Sequence, residues 1–404
     1  MDYGINLATA ADSWKVVRRA EELGFTRAWF YDTQLLNAEV FVAMGAAAVQ
    51  TSKIRLGTGV LIPSNRIAPV AASALMSLNA LAPGRIDFGI STGFTARRTM
   101  GVGPVRLADM RRYIEQVQRL IAGETVKWEL EGASRKMRFL SLDIGVVNNR
   151  DPIPLHISAQ GPRARRLTAE LGAHWINGVG YIDAAKASIA AMQAAWRSAG
   201  IEPATRVATA FCGGCVLAEG EPFDSPRARA QAGPHATIVL HNLVELEQFG
   251  NLGRGIPPAL SPLVEQYRKI YERYEPADAR YLENHRGHLM FLRPEEHQVC
   301  TAELIRAVTI TGTRSALRER LRELQGAGYT DFSIHIRHGH PAMLEECVCA
   351  IRPAAGRCRG RGQTSAIGRT GQPVAPLNFA ASRMKQKLAI RLRASSSSER
   401  FSIR

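Results

Sequence analysis

One phrase recurs along the chain: an amphipathic helix, a glycine, then at once a short apolar strand. At residues 13–23 the spacing puts Val16, Val17, Ala20 and Leu23 on one helical face, with Asp12 as expected N-cap and Gly24 suited to a left-handed stop. A strand pattern over 26–31 follows and ends at Asp32. Leu81-Ala82-Pro83-Gly84, Glu170-Leu171-Gly172 and Gln325-Gly326-Ala327-Gly328 repeat the phrase, each ahead of another strand pattern. Strand patterns fall at 3–8, 26–31, 54–62, 85–91, 153–158, 173–177, 207–218 and 331–336, with helical patterns between most of them. Alternating strand and helix implies parallel pairing, and eight such units close a ring, so the expected fold is an α/β (β/α)8 TIM barrel. An open doubly wound sheet would usually carry a glycine-rich phosphate turn after its first strand. Here that turn reads Leu7-Ala8-Thr9-Ala10-Ala11-Asp12.

The stretch 219–312 is too long for one crossover and follows the seventh strand pattern, so it is expected as an insertion, or lid, over the C-terminal mouth. The net charge of +16 would suggest a nucleic-acid partner if it were spread over a folded surface. It is not: 352–404 holds twelve Lys/Arg against Glu399, hence +11, which leaves 16 − 11 = +5 for the first 351 residues. The expected organisation is one barrel domain at 1–351 and an Arg/Ser/Gly-rich disordered tail at 352–404, with no specific nucleic acid partner. No window approaches the roughly 18 apolar residues of a membrane helix, no basic leader precedes an apolar run, and cysteines are sparse. The expectation is a cytoplasmic protein with no membrane contact.

If the barrel holds, chemistry belongs where strands end. The third strand pattern carries Gly57 and Gly59, and interior strand glycines mark a bulge or a close approach to something flat. The fourth ends Ser91-Thr92-Gly93-Phe94, the fifth Ser158-Ala159-Gln160-Gly161-Pro162-Arg163, and the sixth runs into Gly178-Val179-Gly180. Pro162 fits the first position of a helix, so an electropositive helix start with Arg163, Arg165 and Arg166 nearby forms a candidate phosphate site. Three glycine-rich strand ends around one mouth suggest a planar, phosphate-bearing cofactor.

With Leu56-Gly57-Thr58-Gly59-Val60-Leu61-Ile62-Pro63, Ala82-Pro83-Gly84-Arg85, Gly89-Ile90-Ser91-Thr92-Gly93, Ser158 through Arg166 and Thr311-Gly312-Thr313, the chain resembles the bacterial luciferase-like superfamily. Within it, the chain is most similar to the coenzyme F-420-dependent methylenetetrahydromethanopterin reductase-like branch, over about 1–351. The resemblance implies FMN or the deazaflavin coenzyme F-420 at the mouth, and a homodimer. It also implies a non-proline cis peptide at Gly59–Val60 behind the ring. It maps cofactor contacts onto Gly59, Val60, Leu61, Ser91, Thr92, Gly93, Ser158, Gln160, Gly161, Pro162, Arg163, Gly178, Val179 and Gly180. Asp32 matches an aspartate near the cofactor and is the candidate for proton handling or for a hydrogen bond at the ring. In the sugar-phosphate dehydrogenase branch a histidine follows that aspartate and a glutamate stands after the Thr-Gly of strand four. Here Thr33 and Phe94 occupy those positions, so glucose-6-phosphate oxidation by that acid–base pair is not expected.

Phe94, Arg97, His285 and His288 are the candidate contacts to a small-molecule substrate. No metal is expected: Cys212-Gly213-Gly214-Cys215 lies inside a strand pattern rather than at a helix start, and the first strand ends without the His-x-His of metal-dependent barrels. The resulting expectation is a flavin- or deazaflavin-dependent oxidoreductase, most simply one moving a hydride between coenzyme F-420 and a substrate carbon. An FMN monooxygenase, a metal-dependent barrel hydrolase and a non-catalytic relative are the alternatives.

Overall fold

Eight parallel strands close on themselves in the order β1-β12-β9-β8-β7-β4-β3-β2. In chain order these are β1 (Asp2–Leu7), β2 (Arg27–Phe30), β3 (Arg55–Thr58), β4 (Ile86–Ile90), β7 (Leu155–Ser158), β8 (His174–Gly178), β9 (Ala208–Cys212) and β12 (Asp331–Ile336). The ring is seen in a computed structural model that describes residues 1–246 and 258–351. The tail expected at 352–404, and 247–257 of the insertion, lie outside the described residues. The barrel expectation therefore holds. β2, β4 and β12 are buried along their whole length, as strands covered on both faces must be.

The recurrent phrase works for the reason the sequence suggests. Helix Trp14–Glu22 buries Val17 and Ala20, and Gly24 follows at φ +82°. Helix Arg314–Ala327 ends at Gly328, φ +114°, a region costly to a residue with a Cβ. The N-cap of the first helix is Ser13, one residue beyond the expected Asp12, whose carboxylate accepts from Lys15 instead. The surrounding helices pack one apolar layer against the strands, with Val17, Ala47, Leu75, Ile114, Ile189 and Leu321 among its buried members.

Two pairings escaped the sequence. β5 (Val126–Leu130) and β6 (Ala133–Met137) form an antiparallel hairpin between β4 and β7. The expected strand 207–218 is broken: β9 belongs to the barrel, whereas β10 (Val216–Leu217) pairs in parallel with β11 (Gly312–Thr313) at the two ends of the insertion. The break falls on Gly213-Gly214 because the insertion presses there. A Cβ on Gly213 would sit 2.4 Å from the His235 ring, and one on Gly214 would sit 2.9 Å from the Ile310 carbonyl carbon. Cys212 and Cys215 are buried free thiols, and burial pushes Cys215 up to about 12, so neither serves redox chemistry as built.

The insertion has its own core, in which Leu240, Val264, Tyr267, Ile270, Leu304 and Ile305 meet. Its described helices are Pro226–Ala236, Ile238–Val244, Ser261–Tyr271, Tyr281–Asn284 and Ala302–Val308. Among the described residues, no helix is long and apolar enough to cross a membrane.

Candidate active site at the barrel mouth

The inside of the barrel is polar at both ends and aromatic in the middle. At the base, Arg27 Nε donates to Asp87 Oδ2 at 2.9 Å and Arg27 Nη1 pairs with Asp331. Arg55 adds a fork to Asp87, at 2.7 and 3.0 Å. Burial alone would raise the Asp87 carboxyl, but Arg27, His156 and Arg55 outweigh it and hold it well below the usual carboxylate range. Above that layer Trp29 lies edge-on to His156 and to Phe211, with ring centroids 5.1 and 5.6 Å away.

Trp29 also explains the glycines of the third strand. A Cβ on Gly57 would lie 2.5 Å from the indole, and a Cβ on Gly59 would lie 2.7 Å from the Trp29 Cβ. The flat neighbour inferred for Gly57 is thus in the first instance an indole of the barrel itself.

Toward the mouth, the Tyr31 hydroxyl accepts from Asn6 Nδ2 at 3.0 Å and lies 2.8 Å from His335 Nδ1. Burial pushes the Tyr31 hydroxyl up to about 12 and holds the His335 ring well below its usual value, so both are neutral at pH 7. Among the described residues, Asn6 Oδ1 has no hydrogen-bond partner. Arg337, just past β12, is buried, and burial lowers it to about 9. Its guanidinium donates to the Gln231 carbonyl and to that of Leu289, a residue at φ +62°. The insertion is thereby tied to the barrel through a strained turn. Asn6, Tyr31 and Arg337 went unnoticed in the sequence because nothing in their spacing links them. Asn6 and His335 face each other only through the β1–β12 register.

The rim runs without interruption from β3 to β9. Gly59–Val60 is a cis peptide, as the resemblance implied, and both residues are half-buried. Leu61 then bridges to Ile90, and Ser91 donates through its N–H to the Leu61 carbonyl and through Oγ to that of Ser158. Ser91 and Thr92 are half-buried, and Gly93 caps the short helix Phe94–Arg98. Helix Pro162–Glu170 begins with Gly161 as N-cap and proline in its first turn, as expected. A Cβ on Gly161 would meet nothing within 4 Å, and one on Gly178 would approach only Gln160 Nε2, at 3.8 Å. Gly180 opens a second cleft of about 230 Å³ shared with Val179, Tyr181, Arg306, Thr309 and Arg320, at the start of helix Ile182–Ser198. Side chains of Leu61 and Val179 are buried, so any contact they make here is through main chain.

Asp32 is 4% exposed and fully engaged. It accepts from the Ile62 N–H at 3.1 Å, from Asn65 Nδ2 at 3.2 Å and from Arg66 Nη1 at 2.9 Å on both oxygens. The carboxylate therefore fastens the loop that follows Gly59–Val60. Phe94 is half-buried, with the Arg98 guanidinium 3.6 Å above its ring centroid. Arg97 turns back to the Gly103 carbonyl. His285 and His288 are the clearest departures from expectation. They are 0% and 9% exposed, so as built neither offers a substrate much surface. His285 instead lies 3.0 Å from Glu245. Arg98 meets the same Glu245 at 3.1 Å, docking the insertion onto the loop after β4.

The chain is a (β/α)8 barrel whose C-terminal mouth carries half-buried main chain at Gly59–Val60 and a helix start at Gly161–Pro162. The profile of the luciferase-like monooxygenase family matches residues 4–331, and the chain belongs to that family. An F-420-dependent glucose-6-phosphate dehydrogenase of Beutenbergia cavernae is 37% identical over 136 residues, 32% of this chain and 39% of that protein. A 5,10-methylenetetrahydromethanopterin reductase of Archaeoglobus fulgidus is 32% identical over 158 residues, 39% of this chain and 46% of that protein. The chain thus spans less than half the length of these two curated relatives. The coenzyme F-420-dependent tetrahydromethanopterin reductase of Methanopyrus kandleri shares the fold, with a TM-score of 0.62 at 20% identity over 86% of this chain and 97% of that one.

Proposed function

We propose that this chain is an oxidoreductase that moves a hydride between coenzyme F-420 and a small organic substrate. The observation that carries the reading is the rim: half-exposed Gly59–Val60, the Ser91–Ser158 link, the helix start at Gly161–Pro162 and the Gly178–Gly180 turn ahead of helix Ile182–Ser198. The open space at Gly161 and Gly178 suits a phosphate-bearing ligand, since first-turn N–H groups lack intrahelical partners. The F-420 dependence of the Beutenbergia cavernae glucose-6-phosphate dehydrogenase favours the deazaflavin.

Bound at this rim, a flavin or deazaflavin ring supplies hydride acceptance and donation. The chain's own share is positional. Gly59–Val60 would offer main chain to a bound ring, and Arg163 with the helix start at Gly161–Pro162 would hold an anionic tail. Phe94 and Arg97 border the substrate side. Asn6, Tyr31 and His335 form a neutral polar floor, with Asn6 Oδ1 left to bond a ligand. The insertion keeps water from the transfer, which depends on alignment more than on a strong acid. Asp32 acts as a positioning residue: it holds Arg66, Asn65 and Ile62 and so fixes the loop behind the ring. We further expect a cytoplasmic homodimer, checked by cell fractionation and light scattering.

The decisive experiment titrates the full chain with coenzyme F-420 and with FMN, then follows reduction of the bound cofactor by candidate alcohols. Tight F-420 binding with no oxygen uptake supports the reading. Selective FMN binding with oxygen consumption replaces it with a monooxygenase, and binding of neither cofactor removes it. Asp32→Asn should weaken F-420 binding about tenfold, the effect of loosening one buried charge-assisted contact. Unchanged affinity and turnover in that variant would remove Asp32 from the site.

A further inference from the structure

The insertion holds a group of imidazoles that the mouth chemistry leaves unused. His241 lies on helix Ile238–Val244, and His285 and His288 follow helix Tyr281–Asn284. Their side chains are buried together, and one ring nitrogen of each lies within 4.8 Å of those of the other two. Two of the rings have Nε2 against a carboxylate: His241 Nε2 is 2.5 Å from Glu296 Oε1, and His285 Nε2 is 3.0 Å from Glu245 Oε2. Those carboxylates are fixed in turn, Glu296 by Arg293 at 2.6 Å and Glu245 by Asn284 at 2.7 Å and Arg98 at 3.1 Å. Nδ1 of His241, His285 and His288 is buried and has no hydrogen-bond partner among the described residues.

An imidazole that donates Nε2–H to a carboxylate carries its lone pair on Nδ1. Burying a lone pair with no donor is unfavourable, and here it happens twice, beside the equally unpartnered Nδ1 of His288. A carboxylate behind a histidine also fixes ring orientation and raises basicity toward a cation on the other side. We propose that His241, His285 and His288 bind one divalent metal ion of the zinc class through Nδ1, with Glu245 and Glu296 orienting the rings behind them. Three nitrogen ligands with no thiolate suit Zn(II), Co(II) or Ni(II). A tetrahedral ion would keep its fourth position for water or an exogenous ligand. The ion joins the Ile238–Val244 helix to the 285–288 segment, so it clamps the insertion that closes over the mouth.

The test uses untagged full-length chain, stripped with chelator and titrated with Co(II), followed by displacement with Zn(II). The expected result is one Co(II) per chain with the visible bands of a tetrahedral nitrogen–oxygen site, bleached by Zn(II), and an unfolding midpoint that rises with Zn(II). His285→Gln and His288→Ala should each weaken Co(II) binding at least 100-fold. Glu245→Gln should weaken it about 10- to 100-fold with one ion still bound, the effect of losing a carboxylate behind a ligand. No saturable binding by the unsubstituted chain at about 100 µM Co(II), far above the dissociation constant of a built site, would overturn the proposal. Spectrum and affinity that survive both histidine substitutions would overturn it too. The first outcome needs no variant, so a misfolded substitution cannot obscure it.

Discussion

Two buried polar networks, one at the base of the barrel and one in the insertion, use the same ingredients to different ends. At the base, Asp87 is paired with Arg27 and Arg55, and Arg27 bridges on to Asp331. In the insertion, Glu245 and Glu296 are likewise paired with Arg98 and Arg293, yet the two histidines they hold, and His288 beside them, each leave Nδ1 without a partner among the described residues. Barrel bases are sites of stability and the C-terminal mouth is a site of chemistry, and the pairing of every charge at the base fits that division, although both ring nitrogens of His156 lack hydrogen-bond partners there. A network with every charge answered stabilises. One that orients groups and leaves them unanswered is built to receive something.

The comparison breaks most easily at Asp87. Asp87→Ala removes the carboxylate shared by buried Arg27 and half-buried Arg55, leaving Arg27 only Asp331, and should cost about 3 kcal/mol in urea unfolding, with cofactor affinity unchanged in whatever fraction remains folded. A cost near zero would mean that the base is not a stability element. Next in size is Gly213→Ala, whose Cβ would meet the His235 ring and lift the insertion off β9, for about 1–3 kcal/mol. Its effect should appear as early proteolysis within 219–312, ahead of global unfolding.

The pH profile separates the two ends without substitution. Burial lowers His235 to about 4 and His335 well below its ordinary value, with Arg337 adding to both. The unfolded chain therefore takes up these protons first. Stability from the neutral rings is full above about pH 6.5 and is lost as pH falls toward their folded values, at up to about 1.4 kcal/mol per unit per ring. Asp87 is held well below the carboxylate range, so its contribution stays full down to about pH 3.9 and is lost only beneath it. Urea midpoints should fall between pH 6.5 and 4.5 (both set by the histidine range), and His235→Gln should flatten that fall. A flat wild-type profile across the interval would contradict the burial of these rings. The smallest effect is expected from exposed Arg163: Arg163→Ala should leave the unfolding midpoint in place and weaken F-420 binding about two- to fivefold, the size of a solvent-screened charge contact. A much larger loss would mean that the helix start at Gly161–Pro162 contributes little by itself.

Much of the fold was legible, because a parallel barrel writes itself in short apolar runs between helices stopped by glycine, and Gly24 and Gly328 occupy the left-handed stops they suggested. The helix start at Pro162 was legible for the same local reason. The hairpin Val126–Met137 was not: its strands are mostly exposed, so no run of buried apolar residues marks them. Nor was the break at Gly213-Gly214, which depends on where His235 and Ile310 arrive from elsewhere in the chain. The glycines of strand three were noticed, but their nearest reason, Trp29, lies on another strand. Asp32 was singled out from a resemblance, while its three donors became visible only when the loop through Arg66 folded back over it.

What the sequence determined by itself was local and periodic: which runs become strands, where helices stop, and that eight units suffice to close a ring. Backbone geometry and hydrophobic spacing act over a few residues, so they can be read in order along the chain. What tertiary structure alone decided was partnership, from Asn6 beneath Tyr31 to His241 beside His285 and His288. Such meetings depend on barrel register and on the path of a long insertion. A side chain's charge state and free valence are set by neighbours tens to hundreds of residues away.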